Sequence, residues 1–128
     1  MQQRNYLLAA EWLNKAAAQG QRDAQWRLAG LYYRGRGVRR GFEEALYWYE
    51  EAAKSGHIDS RITLGEMYRD GVGTDVDLAI AYQWFNLVAI SSEKALRERN
   101  KLGWRLTPAQ LLEAELKSVE WLQRNPTR

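Results

Sequence analysis

The chain has 128 residues, of which 45% are hydrophobic and 27% are charged, and its formal net charge is +3. This length suits one domain, and the composition is that of a globular chain with a buried core rather than a disordered one. The absence of cysteine excludes disulfides, thiolate metal sites and cysteine nucleophiles, and no apolar run reaches the ~18 residues of a membrane-spanning helix.

One sequence pattern recurs along the chain with a spacing of 36 residues. Trp12, Trp48 and Trp84 keep this spacing. Alanine, leucine, tyrosine and glycine residues around the tryptophans recur with the same spacing. They are Ala9, Ala45 and Ala81; Leu28 and Leu64; Tyr32 and Tyr68; Gly35 and Gly71; and Gly37 and Gly73. A fixed period of this length is typical of a solenoid of stacked supersecondary units. The three periodic tryptophans are therefore predicted to be core residues, as are Trp104 and Trp121 in the last segment.

The repeat divides the chain into a half unit and two full units. Residues 5–20 are predicted to form a single helix, and full units follow at 21–56 and 57–92. In each full unit, apolar residues at helical spacing form a first helix, paired glycines end it, and a second helix carries the tryptophan. The predicted N-caps of the tryptophan-bearing helices lie seven residues before each indole, at Asn5, Gly41 and Asp77. Each full unit is thus an antiparallel helical hairpin.

The last segment, residues 93–124, departs from the pattern and is predicted to close the array with two capping helices. Ser92 is suited to cap the first, which runs from Glu93 to about Gly103. Thr107 and Gln110 form a capping box with a proline between them, and they open the final helix. We expect this terminal hairpin to be more polar than the others, because the end of a solenoid faces water.

These motifs resemble the Sel-1-like repeat, a relative of the tetratricopeptide repeat with slightly longer units. The first full unit reads Ala24-x3-Leu28-Ala29-x2-Tyr32-x2-Gly35-x-Gly37-Val38 and then Ala45-x2-Trp48-Tyr49-x2-Ala52-Ala53-x2-Gly56. The resemblance covers about residues 5–92. Gly41, Thr74 and Ser92 depart from the residues usual at those positions. The family implies an all-α fold, a right-handed α/α superhelical solenoid of antiparallel helical hairpins that forms one domain over residues 1–128.

The same resemblance implies an adaptor or scaffold role, mostly in bacterial processes, and it carries no shared catalytic residues. We therefore predict a non-catalytic module that binds another protein through a concave groove. The predicted partner-binding residues share one face of the first helices of the two units: Trp26, Gly30, Tyr33, Arg34, Ile62, Glu66 and Arg69. Trp26 has an alternative interpretation, as a packing residue between neighbouring first helices. If it serves only in binding, Trp26→Ala should weaken capture of the partner and leave the melting temperature nearly unchanged.

A turn rich in arginine supports a second hypothesis. Arg34, Arg36, Arg39 and Arg40 surround the glycines of the first unit, and no acidic residue lies among them. Such a turn could contact phosphate or nucleic acid, although charge runs on turns are usually only solvated, and the sequence favours a protein partner. A third hypothesis makes the chain a segment of a longer scaffold that joins or self-associates through its N-terminal half repeat.

The sequence offers no convergent acid, base and nucleophile, so we predict no catalysis, no cofactor and no metal site. His57 is the single histidine, and it follows Gly56 at the start of a helix, where it is predicted to serve the backbone. The polar N-terminus lacks the apolar core of a signal peptide, which favours the cytoplasm. The periplasm or secretion stays open if an upstream signal has been removed.

Overall fold

A computed structural model of the protein describes residues 2–126, with side chains from residue 5 onwards. Over that range it consists of seven helices and no strand: α1 (Gln2–Ala18), α2 (Arg22–Arg34), α3 (Phe42–Lys54), α4 (Ile58–Asp70), α5 (Leu78–Val88), α6 (Glu93–Gly103) and α7 (Pro108–Arg124). Helices α2 and α3 form the first hairpin and α4 and α5 the second, while α1 packs on α2 and both α6 and α7 pack on α5. The predicted all-α solenoid is confirmed.

The first helix of each full unit ends at a glycine with left-handed backbone. Gly35 has φ 68° and Gly71 has φ 73°, and their N–H groups donate to the carbonyls of Leu31 and Met67. Glycine adopts this conformation without the steric cost that a side chain brings. The predicted helix ends are therefore confirmed, and the chain can turn back to form the hairpin.

The second glycine of each pair is needed because two segments of backbone approach closely. A Cβ at Gly37 would collide with the backbone of Tyr6, near the start of α1, and one at Gly73 would collide with the backbone of Phe42, at the start of α3. Both glycines also have positive φ, at 72° and 75°. Each turn is thus seated on the helix of the preceding unit, which fixes the spacing between units.

Three predicted N-caps are confirmed. The side-chain oxygens of Asp77, Ser92 and Thr107 accept hydrogen bonds of 3.0, 3.1 and 3.2 Å from the N–H groups three residues later, and Thr107 completes the predicted capping box. The prediction for Asn5 is wrong, because α1 already begins at Gln2 and Asn5 lies inside the helix.

The core runs along the stack as three clusters of small and aliphatic side chains. Ala17, Ala24 and Leu28 form the first, between α1 and α2. Trp48 packs on this first cluster, and Trp84 packs on the next, so each tryptophan packs on a cluster built partly from the preceding unit. Both indoles are half-buried. The small residues allow the helices to approach, and the indoles fill the space beside them.

Two of the tryptophans predicted to be core are exposed instead. Trp12 is 71% exposed because, within the described residues, no helix precedes α1 to receive its indole. Trp104 is 90% exposed. It holds the repeat position of Tyr68, but α6 ends at Gly103, so Trp104 falls in the turn and leaves the packed face. Trp121 is half-buried and packs edge-on against Trp84, with ring centroids 5.6 Å apart.

A buried polar side chain joins each full unit to the helix before it. Gln25 Nε2 donates to the carbonyl of Ala17 at 3.2 Å, and Arg61 Nε donates to the carbonyl of Ala53 at 3.0 Å. The two donors are one repeat apart, and so are the two acceptors. Each carbonyl lies in the last turn of a helix and also accepts a 3.0 Å hydrogen bond from a backbone N–H of the following turn, at Gly20 or Gly56, so the side chain adds a second bond. Burial lowers the pKa of the Arg61 guanidinium below its ordinary value, although the group remains charged.

Candidate functional site

A groove of about 680 Å³ opens between α1, α2 and α4, with one residue of α3 at its floor. It is lined by six of the seven residues predicted to bind a partner, namely Trp26, Gly30, Tyr33, Arg34, Glu66 and Arg69. The prediction for Ile62 is wrong in its placement. That side chain is half-buried against the core cluster of α5, α6 and α7, because it points along the stack rather than into the groove.

The floor of the groove depends on Gly30. A Cβ at this position would lie 3.2 Å from Nη1 of Arg34 and 3.8 Å from the hydroxyl oxygen of Tyr49. The missing side chain therefore lets the Tyr49 hydroxyl reach the groove from α3. Tyr49 is only 6% exposed, and its hydroxyl lies beside Gly30 at the groove. A hydroxyl at the floor of a groove can hydrogen-bond to a ligand group that enters the groove.

The Tyr49 hydroxyl is held in its protonated form. Burial raises its pKa above the ordinary value and outweighs the opposing positive charge of Arg34. At neutral pH the hydroxyl can thus donate a hydrogen bond to an acceptor that enters the groove.

One wall of the groove is aromatic. The Trp26 indole is half-buried and packs against Tyr49, with ring centroids 5.2 Å apart, and against His57, with centroids 4.9 Å apart. Trp26 therefore packs on His57 at the start of the second unit and also lines the groove, and its part in binding a partner stays a prediction. Tyr33 stands at the rim, 38% exposed, with its ring edge-on to Phe42 at 5.1 Å.

The opposite wall carries charges that neutralise one another. Arg69 makes two hydrogen bonds to Asp70, at 2.8 and 2.9 Å, and a third of 2.9 Å to Glu98 of α6. Glu66 pairs with Lys94 at 3.1 Å. The bonds to Asp70 raise the pKa of Arg69 above its ordinary value, and the same bonds lower the pKa of the Asp70 carboxyl. This wall offers little uncompensated charge to a ligand.

The α2 side of the groove is positive. Arg27 and Arg34 line it, both are exposed, and neither forms a salt bridge within the described residues. An anionic group in the groove would therefore meet these two guanidinium groups, together with the Tyr49 hydroxyl. Guanidinium groups bind carboxylates with two parallel hydrogen bonds, which favours an acidic side chain or chain terminus.

The arginine-rich turn lies beside the groove, and aromatic rings engage two of its three other arginines. Arg36 donates a 2.9 Å hydrogen bond to the hydroxyl of Tyr6 and lies over its ring at 5.2 Å. Arg40 lies over the ring of Phe42 at 5.4 Å. Within the described residues, Arg39 makes no such contact with an aromatic ring, and it lines a shallow depression together with Leu7. Part of the turn thus packs on neighbouring helices, since Arg36 contacts Tyr6 of α1 and Arg40 contacts Phe42 of α3.

Sequence reasoning missed several lining residues, chiefly Arg27, Leu31, Tyr49 and Met67. Tyr49 is buried on α3 and meets the groove only beside Gly30. The signal that could have revealed Tyr49 is the glycine at position 30, because a glycine inside a helix leaves room for a side chain from a neighbouring helix.

His57 serves the backbone, as predicted. Its Nδ1 accepts a 3.1 Å hydrogen bond from the N–H of Ser60 and caps α4. Within the described residues, no three His, Asp or Glu side chains lie close enough together to hold a metal ion. None of the described helices is both long enough and apolar enough to cross a bilayer.

The sequence model of the Sel1 repeat matches residues 1–21, 22–57 and 61–89, which together make up more than half of the chain. The chain belongs to the Sel1 repeat family. This confirms the family predicted from the periodic motifs. Proteins with Sel1 repeats are generally protein-interaction modules, and their fold is typically a non-catalytic scaffold. The comparison with curated proteins gives no match.

Solved structures agree with the Sel1 assignment. The Sel1 repeat chain is similar to c5321, a protective antigen of uropathogenic Escherichia coli strains with an SLR fold. The TM-score is 0.84, and the sequence identity is 32% over 91% of the present chain. It is also similar to a Sel1 repeat protein from Oxalobacter formigenes, with a TM-score of 0.73 and 26% sequence identity over 89% of the present chain. The chain covers only 25% of the first structure and 49% of the second.

Proposed function

We propose that this Sel1 repeat chain is a non-catalytic interaction module that binds a partner protein through the groove between α1, α2 and α4. One observation carries the proposal, namely that a tyrosine hydroxyl, two arginines outside the described salt bridges and two aromatic rings line one cavity. Tyrosine, tryptophan and arginine are the residue types enriched at the energetic centres of protein interfaces. The rigid helices hold these groups in place before binding, which limits the entropy lost on association.

The free charges of the groove indicate what kind of segment it takes. Arg27 and Arg34 are unpaired, whereas the acidic residues of the opposite wall are already paired with Arg69 and Lys94. A segment with a carboxylate beside an apolar side chain satisfies both the arginines and the aromatic wall. The alternative binding of phosphate or nucleic acid by the arginine-rich turn is weaker, because Arg36 and Arg40 are engaged with Tyr6 and Phe42.

Site-specific photocrosslinking in an extract of the native organism tests the proposal. A photoreactive phenylalanine analogue replaces Tyr33 at the rim of the groove or, as a matched control, Tyr47, which is 55% exposed on α3 and absent from the groove. We expect a discrete crosslinked protein from position 33 that is lost when Arg34→Gln is added and kept when Arg39→Gln is added. Equal crosslinking at the two tyrosines, or none at position 33, would overturn the proposal.

A further inference from the structure

Both ends of the helical stack expose apolar side chains. At one end, Leu8 and Trp12 lie one turn apart on α1 and are 51% and 71% exposed. At the other end, Leu112, Leu116 and Val119 form a stripe on α7 and are 59%, 55% and 52% exposed. The predicted polar terminus is thus not found on the outer face of α7. Exposed apolar stripes of this kind favour burial against another helix.

Repeat equivalence identifies what covers the Leu8–Trp12 face. Trp48 and Trp84 hold the same repeat position as Trp12, and each packs on a cluster built partly from the tryptophan-bearing helix of the preceding unit. The natural occupant of the α1 face is therefore a helix of that same class, placed one unit upstream.

Helix α7 belongs to this class. It packs on α5 as the last helix of the stack, and Trp121 lies on Trp84 one residue beyond a full repeat. Its buried residues, Ala114 and Ser118, lie on the side of the helix roughly opposite the exposed stripe. The stripe thus faces the place that a following unit would occupy.

We propose that copies of this chain stack head to tail, with the Leu8–Trp12 face of α1 in one copy packed on the Leu112–Leu116–Val119 face of α7 in the next. One chain supplies both halves of this contact, and the contact resembles the one between α5 and α7 within the chain. A head-to-tail contact uses two different surfaces, so a pair of copies keeps one free surface of each kind and can extend into a ring or an open filament. The groove lies on a different surface, so this proposal is independent of the proposed function.

Variants blocked at one end test the proposal on the full chain. Trp12→Arg places a charge on the α1 face, and Leu116→Arg places one on the α7 face. Both positions are exposed, so circular dichroism and the melting temperature should stay near those of the parent chain. Tyr47→Arg is the control on an exposed site outside both faces.

Sedimentation velocity should show that the mean mass of the parent chain and of Tyr47→Arg rises with concentration without a limit at two copies. Each blocked variant alone should be monomeric, with association weakened by more than about tenfold, because docking would bury an unpaired charge. An equal mixture of the two should form dimers, because each variant retains the face that the other lacks. Leu8→Arg replaces Trp12→Arg if the latter fails to fold.

Three results would overturn the proposal. A parent chain that stays monomeric up to millimolar concentration removes it outright. Dimers of Leu116→Arg alone would show that α1 pairs with α1. Dimers of Trp12→Arg alone would show that α7 pairs with α7.

Discussion

The indole of Trp26 stacks on the imidazole of His57, with ring centroids 4.9 Å apart and planes tilted by 35°. The same imidazole caps α4 through Nδ1, which accepts from the N–H of Ser60. One side chain therefore links the start of the second unit to the aromatic wall of the candidate groove. Its protonation state bears on both.

This link predicts a loss of stability in mild acid. Burial lowers the pKa of His57 below its ordinary value, against the opposing charges of Asp59 and Asp23. The unfolded chain, with a histidine pKa of about 6.5, then binds a proton more readily than the folded one. The contribution of His57 is complete above about pH 6.5 and is lost as the pH falls through 6.5 towards the lower value of the folded state.

Urea unfolding at several pH values checks this, with His57→Asn as the matched control. Asparagine also caps helices but does not titrate. The difference in unfolding free energy between parent and variant should shrink or change sign between about pH 8 and pH 5. Parallel curves for the two proteins over this range would contradict the prediction.

The packing of Trp26 changes what its substitution reports. The sequence led us to expect that Trp26→Ala would leave the melting temperature nearly unchanged, but this indole packs on Tyr49 and His57. We now expect a loss of about 1–3 kcal/mol in unfolding free energy, below the value for a fully buried tryptophan. Tyr33→Ala, at the exposed rim, should cost less than about 1 kcal/mol and still reduce partner capture. Chemical denaturation of both variants decides between these roles.

The unpaired guanidinium of Arg34 should control the affinity for an acidic partner. Arg34→Gln should weaken binding of the crosslinked partner by about tenfold and reduce its dependence on salt, because one charge contact is lost. Arg39→Gln, on the neighbouring turn, should leave affinity within about twofold of the parent. Titration calorimetry at two salt concentrations measures both effects. Equal losses in the two variants would indicate a general electrostatic attraction instead of a groove contact.

The seating of each turn on the preceding helix predicts unequal costs for three glycine substitutions. Gly20, Gly37 and Gly73 all have positive φ, but a Cβ at Gly20 meets nothing within 4 Å. Gly20→Ala should cost about 1–2 kcal/mol from backbone strain alone. Gly37→Ala and Gly73→Ala should cost clearly more, because the new methyl group meets the backbone of Tyr6 or Phe42. Thermal denaturation ranks the three, and an equal loss at all of them would show that the turns can move aside.

One misassigned tryptophan and one that was assigned correctly give a further comparison. Trp104→Ala should change the unfolding free energy by less than about 0.5 kcal/mol, since that side chain is 90% exposed. Trp84→Ala should cost at least about 2 kcal/mol, because its indole contacts both the second core cluster and Trp121. A marked loss in Trp104→Ala would show that the indole packs in solution.

Local chemistry explains which features could be predicted from the sequence. Helix ends and caps depend on neighbouring residues, so Gly35, Asp77 and Thr107 were assigned correctly from spacing and residue type. Repeat position indicates which face of a helix a residue occupies, and this brought six of seven predicted residues to the groove.

Repeat position does not show whether a neighbouring unit is present to cover that face. Trp12 keeps the register of Trp48 and is nevertheless exposed, because the described residues hold no helix before α1 that could cover it. Trp104 keeps the register of Tyr68 but loses its place because α6 ends early. The Tyr49 hydroxyl was missed for a related reason, since its access depends on a missing side chain at Gly30 on another helix.

The joints made by Gln25 and Arg61 have a consequence for how such chains change over generations. An amide in one unit and a guanidinium in the next serve the same acceptor position, although they differ in charge and length. Each connection is one hydrogen bond from an N–H group at the end of a long side chain, so it places few constraints on the identity of the other residues in the unit. Duplication or deletion of a whole unit can therefore preserve the connection, which leaves the groove residues free to diverge towards new ligands.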